Sequence, residues 1–227
     1  MIVVCAGMSR SGSTLQYQII RELVERTGLG EGKGSWNYNK PRPESSEIFV
    51  YKSERFIGES VSEVDHAFAI IRNPLDVVVS LYRYRLANEY YKCTGVPIPL
   101  EDIIYDEMVL VMLWIDQWEK AGANLIRYED LYPDGWHKIA EQAASILDIT
   151  LPQADAMNIA KKFSKEENAM RITNQKKWFD YTDSMLTLGH IGPHGGEPGQ
   201  GEEHLTSDQI GYVERYAGDF MRRHGYL

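Results

Sequence analysis

Three runs of apolar residues stand out along the chain, at residues 2–6, 67–71 and 124–128, with a shorter one at 48–51. None alternates with polar positions, which is the pattern of strands covered on both faces. Each is followed by a turn or by apolar positions at helical spacing. Helices are expected over residues 13–27, from Pro74 onward, over 100–121, over 135–147 and over 207–224. Gly28 stops the first of these. Asn73 is placed to cap the second, with proline at its first position, and Thr206 or Ser207 caps the last. Alternating strands and helices predict an α/β fold, a central parallel sheet flanked by helices in a three-layer architecture like that of P-loop NTPases. No linker or internal repeat divides the 227 residues, so one domain is expected. Two stretches read as irregular loops, residues 28–47 and the glycine-rich residues 189–201. Long loops inside a compact domain are usually functional.

Composition narrows the range of functions. A net charge of −9 and the absence of a basic stripe argue against a nucleic-acid binder, so an anionic ligand has to be held by local donors. No run reaches the roughly 20 apolar residues of a membrane span. Met1 leads directly into the first strand, so a cytoplasmic location without a signal peptide is expected. Cys5 and Cys93 are unclustered and suggest packing or surface roles, with neither a disulfide framework nor a zinc site.

The candidate chemistry begins with Gly7-Met8-Ser9-Arg10-Ser11-Gly12-Ser13-Thr14, between the first strand and the first helix. A glycine-bearing turn there aims backbone N–H groups and the positive end of the helix at one point, which is an anion site. The glycine spacing and the threonine match the nucleotide triphosphate loop G-x-x-x-x-G-K-[ST], but Ser13 stands where the lysine belongs. The loop carries its cation earlier, as Arg10. A second anchor follows the strand at 67–71, where Arg72 sits at the mouth of a buried strand and Ser80 lies eight residues on. A planar guanidinium suits bidentate phosphate recognition, whereas a triphosphate enzyme usually ends such a strand in a magnesium-binding aspartate. Read alone, Ser80 needs only a back-bond to the carbonyl of Asp76. Lys52 and Glu54 end the short strand at 48–51. Glu54 is a candidate base if burial or a partner raises its pKa. Otherwise it is a solvated glutamate paired with Arg55 or Lys52. His66, His190 and His194 are fallback bases.

GMSRSGSTL (residues 7–15) resembles the 5′-phosphosulfate loop of sulfotransferases, and R-x-P-x-D-V-x-x-S from Arg72 to Ser80 is similar to their 3′-phosphate motif. The resemblance implies a P-loop-like sulfotransferase that uses 3′-phosphoadenosine-5′-phosphosulfate (PAPS) as co-substrate and no metal. It implies that Arg10, Ser11, Gly12, Ser13 and Thr14 grip the 5′-phosphate, and that Arg72 and Ser80 hold the 3′-phosphate. Glu54 takes the place of the family's histidine base, and Tyr128 of Tyr128-Glu129-Asp130 contacts adenine, with Phe163 and Met170 as further neighbours. Arg10 is the stronger candidate to stabilise the leaving phosphate oxygen, with Lys52 as a second. The family's R-K-G-x-x-G-x-W stretch maps onto the glycine-rich loop. His194, Gly195 and Gly196 fall on its basic segment and Gly201 on its tryptophan, so basic pair and aromatic are both missing. The 3′-phosphate grip there is expected to be weaker, or left to Arg72. A P-loop kinase or NTPase, and a PAP(S)-binding protein that has lost catalysis, remain as alternatives. Trp36, Tyr38, Tyr82, Tyr84, Tyr90 and Tyr91 are candidates to line a pocket for a small-molecule or carbohydrate acceptor, whose identity the residues leave open, as they do the oligomeric state.

Overall fold

In the computed structural model, which describes residues 1–36, 43–44, 46–87, 99–174, 185–187, 190 and 196–227, the first apolar run is the central strand of a parallel sheet. Strand β1 (Ile2–Gly7) is buried along its whole length. It pairs with β3 (Ile48–Lys52) on one side and β4 (His66–Ile71) on the other, with Cys5 opposite Lys52 in one register and Phe68 in the other. Strands β2 (Gly30–Ser35) and β5 (Asn124–Arg127) complete the order β2-β3-β1-β4-β5, every pair parallel.

Alternate side chains of β1 enter two separate cores. Val3 and Cys5 pack with Tyr17, Ile20 and Leu23 of α1 (Ser13–Arg26) and with Ile139 and Ala143 of α4 (His137–Ile146). Val4 and Ala6 pack with Val77 and Val78 of α2 (Pro74–Ala87), with Val111 and Trp118 of α3 (Val109–Lys120), and with Val213 and Phe220 of the C-terminal α8 (Ser207–Arg223). Both faces of the sheet are therefore dry, which is why its inner strands carry unbroken apolar runs. Cys5 is fully buried among them, while Cys93 lies outside the described residues.

The expected helices are present, with capping as read. The Asn73 side chain accepts from the Leu75 N–H at 3.0 Å, and Thr206 forms a capping box with Gln209. The helix expected over 100–121 is continuous but not uniform: its first part contains a π-helical segment, Ile103–Met108. Strand β2 corrects the reading of residues 28–47 as wholly irregular. Its sequence, GEGKGS, has no apolar signal because polar residues alternate with glycines, and at Gly30 and Gly32 close approach to the neighbours leaves no space for a side chain. A Cβ on Gly30 would lie 1.9 Å from the Ile48 carbonyl oxygen, and one on Gly32 would lie 2.4 Å from Arg21. Three helices also went unread: α5 (Gln153–Lys162), α6 (Lys165–Ile172) and the short α7 (Gln200–His204), which starts at the end of the glycine-rich stretch.

The chain leaves β1 for the edge strand β2, returns through β3, and crosses β1 to reach β4. Strand order therefore reverses at β1, and the C-terminal ends of β1, β3 and β4 open on one crevice. That is where open α/β sheets bind ligands.

Candidate active site

Gly7, Arg10 and Gly12 all have positive φ, at 138°, 67° and 91°, and wind the β1–α1 loop around the N-terminus of α1. Arginine in this left-handed region is uncommon, so the loop imposes a conformation that its sequence does not favour. It is braced from within. The Met8 N–H donates to the Ile70 carbonyl at 3.1 Å, and the Ser11 N–H to Met8 at 3.1 Å. The fully buried Ser11 hydroxyl lies 2.7 Å from the Met8 carbonyl and 2.9 Å from that of Ile70. Ser11 thus ties the loop to β4, and its polar groups are turned away from the cleft.

A cleft of about 800 Å³ lies over this loop, within the usual size range of small-molecule sites. Arg10, Gly12, Ser13, Thr14, Lys52, Glu54, Arg72, Ser80, Tyr128 and Gly196 all line it, although they are scattered over most of the chain. His194 lies outside the described residues. His66 starts β4 and so sits at the opposite end of the sheet, away from the cleft.

Arg10 reaches across to α2. Its Nε donates to Ser80 Oγ at 3.2 Å, and its guanidinium lies over the Tyr84 ring, 4.8 Å from the centroid. Burial pulls its pKa down, against the favourable influence of Tyr84 and Glu54. The Ser80 hydroxyl is therefore an arginine acceptor.

Arg72 is almost fully buried at the end of β4, and its two Nη nitrogens are already engaged. Nη1 donates to the Arg10 carbonyl at 3.3 Å. Nη2 donates to the carbonyls of Gly196 and Glu197 at 3.0 and 3.2 Å and pairs with Asp76 at 3.3 Å. Its Nε is buried without a hydrogen bond among the described residues. The guanidinium also stacks 4.2 Å from the centroid of Tyr128, whose phenol burial pushes up to about 12.

Lys52 and Glu54 form an ion pair at 2.8 Å, with the lysine buried and the Glu54 side chain partly buried. Glu54 also accepts from Ser9 Oγ at 3.0 Å. Burial acts to raise the Glu54 pKa, but the charge and hydrogen bond of Lys52, with Ser9, prevail and bring it down to about 2. The pairing with Lys52 is the alternative that the sequence offered to a raised pKa, and it lowers the pKa. His190 stands close by, 3.0 Å from Thr14 Oγ1. Burial, Lys52 and Arg10 push its pKa down to about 3, so the imidazole is neutral.

The far end of the cleft is formed by Tyr132, Trp136, Phe163, Lys165 and Asn168. Tyr128 stacks on Tyr132 and meets Trp136 edge-on, leaving an aromatic wall beside Gly12. Phe163 belongs to this wall, but Met170 is 61% exposed and does not line the cleft. Tyr128-Glu129-Asp130 forms a short 3-10 turn, and Glu129 ties it to the Asn73 N–H at 2.9 Å and to the Tyr226 hydroxyl at 3.0 Å. Of the aromatics proposed for an acceptor pocket, Tyr84 lines the cleft, while the partly buried Trp36 packs edge-on against Tyr51 of the core. Tyr38, Tyr90 and Tyr91 lie outside the described residues. Sequence reading did not single out Ser9, Trp136 or Lys165. Single residues without a motif give no signal until the fold brings them together.

Gly196 to Gly201 is held by Arg72 and Asp76. The N–H groups of Gly199 and Gly201 donate to the Asp76 carboxylate at 3.0 and 2.7 Å. Gly201, aligned with a tryptophan in the resemblance above, sits against Leu75: a Cβ there would lie 2.3 Å from that of Leu75. No side chain fits at this position as the backbone stands.

Taken together, the sheet order and the loop after β1 define a P-loop-like α/β domain, with cations at three adjacent strand ends. Its architecture is that of solved PAP-bound sulfotransferases. Mouse sulfotransferase SULT7A1 complexed with PAP superposes with a TM-score of 0.67 at 15% identity, covering 97% of this chain and 84% of that one. Retinol dehydratase, in complexes with androsterone and inactive cofactor PAP and with retinol and PAP, gives TM-scores of 0.64 and 0.65 at 14% identity. Those alignments cover 97% of this chain and 80% and 81% of the others. No protein-family model and no curated protein sequence matches the chain. Among the described residues no helix is long and apolar enough to cross a membrane.

Proposed function

We propose that this protein is a PAPS-dependent sulfotransferase acting on a hydroxyl or amine of a small-molecule or carbohydrate acceptor. The observation that carries this reading is the convergence of Arg10, Lys52 and Arg72 on one cleft beside the N-terminus of α1, in the fold shared with PAP-bound sulfotransferases. Ser13 in place of a triphosphate-loop lysine, and Arg72 where a magnesium-binding aspartate would end the strand, favour a donor phosphorylated at 3′ and 5′ over a nucleoside triphosphate.

The lining fits such a donor. Arg10, the hydroxyls of Ser13 and Thr14, and the N-terminal N–H groups of α1 would hold the 5′-phosphate. Arg72 would reach a 3′-phosphate by exchanging the carbonyls of Gly196 and Glu197 for phosphate oxygens. The wall of Tyr132, Trp136 and Phe163 offers apolar surface for a base. When bound, PAPS supplies the sulfuryl group and a phosphate leaving group. Arg10 and the α1 N-terminus place positive charge where negative charge grows on that phosphate, which is the main electrostatic demand of the reaction. Glu54 is ionised and positioned to take the acceptor proton, and Lys52 controls its basicity. Whatever draws the ammonium away from Glu54 leaves burial to raise the carboxylate pKa.

Thermal melting with adenosine 3′,5′-bisphosphate in the absence of magnesium tests the reading, because a ligand of the native state raises its melting temperature. Stabilisation is expected. Stabilisation by Mg-ATP and not by the bisphosphate would overturn the proposal in favour of a kinase or NTPase. Sulfuryl transfer from PAPS across a panel of hydroxyl and amine acceptors then separates an enzyme from a PAP-binding protein without turnover.

A further inference from the structure

We propose that His190 is a positioning residue for the phosphate loop: its Nε2–H holds the Thr14 hydroxyl so that the proton of that hydroxyl points into the cleft, at a bound 5′-phosphate. The inference follows from counting donors and acceptors. The Thr187 N–H lies 2.9 Å from His190 Nδ1. A backbone N–H can only donate, so Nδ1 carries a lone pair, and a neutral ring then keeps its proton on Nε2. Nε2 is 3.0 Å from Thr14 Oγ1 and therefore donates to it. The Thr187 hydroxyl, 3.0 Å from Nδ1, can act as a second donor to it and so is compatible with this tautomer.

A threonine hydroxyl has one proton and two lone pairs. With a lone pair occupied by His190, the proton is directed elsewhere. Thr14 is the second residue of α1, with no helical turn before it to offer a carbonyl, and it lines the cleft. With one lone pair held by His190, the Thr14 hydroxyl keeps its proton for a ligand in the cleft. The charged groups that act on the imidazole are Lys52 and Glu54 from the end of β3 and Arg10 from the loop. Burial and the two cations together keep it uncharged. Both of its nitrogens are occupied, so in this arrangement His190 orients Thr14 and does not take the acceptor proton.

The phosphate end of this inference rests on the proposed function, while the tautomer does not. Nitrogen-15 NMR of the imidazoles in the free protein should show His190 as the Nε2–H tautomer at pH 7. An Nδ1–H or averaged signal would overturn the assignment whether or not PAPS is the donor. Calorimetric titration with adenosine 3′,5′-bisphosphate then supplies a double-mutant cycle. His190→Ala and Thr14→Val should each weaken binding about tenfold, the loss of one hydrogen bond. The double variant should be no weaker than Thr14→Val alone, and His190→Gln, which keeps an N–H donor, should recover part of the loss. Losses that multiply in the double variant would overturn the proposal, because a merely structural His190 acts independently of Thr14. If the wild type binds no bisphosphate, the sulfotransferase reading fails. The cycle repeated with inorganic phosphate, together with the tautomer signal, then decides the His190 assignment alone.

Discussion

The Asp76 carboxylate joins the start of α2 to the C-terminal loop, accepting the Gly201 N–H at 2.7 Å on one oxygen and the Gly199 N–H at 3.0 Å on the other. Arg72 completes the group at 3.3 Å, and both charged side chains are buried. Asp76 therefore neutralises the arginine of the candidate 3′-phosphate site and also fixes the backbone that covers it.

Removing one partner of a buried pair leaves the other charge uncompensated, which costs about 3–5 kcal/mol. Asp76→Ala should lose about that much stability in urea unfolding. A shift below about 1 kcal/mol would show that the loop is anchored by other contacts.

Gly201 is expected to tolerate no side chain. Its Cβ would meet Leu75 at 2.3 Å and backbone at 2.6 Å, so Gly201→Ala should cost about 1–3 kcal/mol through overpacking at the α2 N-terminus. The midpoint of thermal unfolding, read beside an Ala substitution at the exposed Gly211, checks it.

Arg10 is the cation of the phosphate loop. Arg10→Ala should weaken adenosine 3′,5′-bisphosphate binding by about ten- to a hundredfold, the range of a lost charge-assisted hydrogen bond. Arg10→Lys should recover part of that loss. Unchanged affinity in calorimetry would remove Arg10 from the site.

Glu54 makes a prediction about the pH dependence of turnover. The profile of kcat/KM reports the free enzyme's groups. With Glu54 held at about 2, that profile should show no acid limb between pH 5 and 7 on its account. In Lys52→Met, burial is no longer opposed by the ammonium, and an acid limb should move upward into reach. A wild-type limb near neutrality that survives Glu54→Gln would assign the base to another group.

Two neighbouring groups of the cleft, His190 and Glu54, contribute stability that falls with acidification. His190 is held at about 3 against an ordinary 6.5, and Glu54 at about 2 against 4.5. In both windows the unfolded chain binds more protons than the folded one, so stability rises with pH across them. The His190 contribution is intact above pH 6.5 and erodes as pH falls toward 3. That of Glu54 is intact above 4.5 and erodes toward 2. His190→Gln should therefore flatten the decline between pH 6.5 and 4.5, and Glu54→Gln should act only below that. Denaturation midpoints at pH 7, 5.5 and 4.5 decide this, and parallel curves for His190→Gln and wild type would count against it.

Much of the fold was legible before any coordinates. The runs at 2–6, 48–51 and 67–71 became the three inner strands because a strand covered on both faces has to be apolar throughout, and that constraint is local. The loop from Gly7 to Thr14 was equally readable, since an anion site at a strand–helix junction is made mostly of backbone. Strand β2 was hidden because its glycines answer to the close approach of Ile48 and Arg21, not to any periodicity of their own. The sign of the Glu54 shift could not be read either. Burial and Lys52 act in opposite directions, and only the 2.8 Å contact decides which prevails.

By itself, then, the sequence determined a parallel α/β sheet, a phosphate loop lacking its lysine, and an arginine at the end of a second strand. Those features depend on residue type and on spacing along a single segment. Tertiary structure decided which hydroxyls face the cleft: Ser11 is spent on carbonyls, while Thr14 is held by a histidine 176 residues away. It also decided that Arg72 and Asp76 grip the glycine-rich loop. Each of these outcomes depends on where separate strands and loops meet, and the preferences of one segment carry no information about the partner it will find.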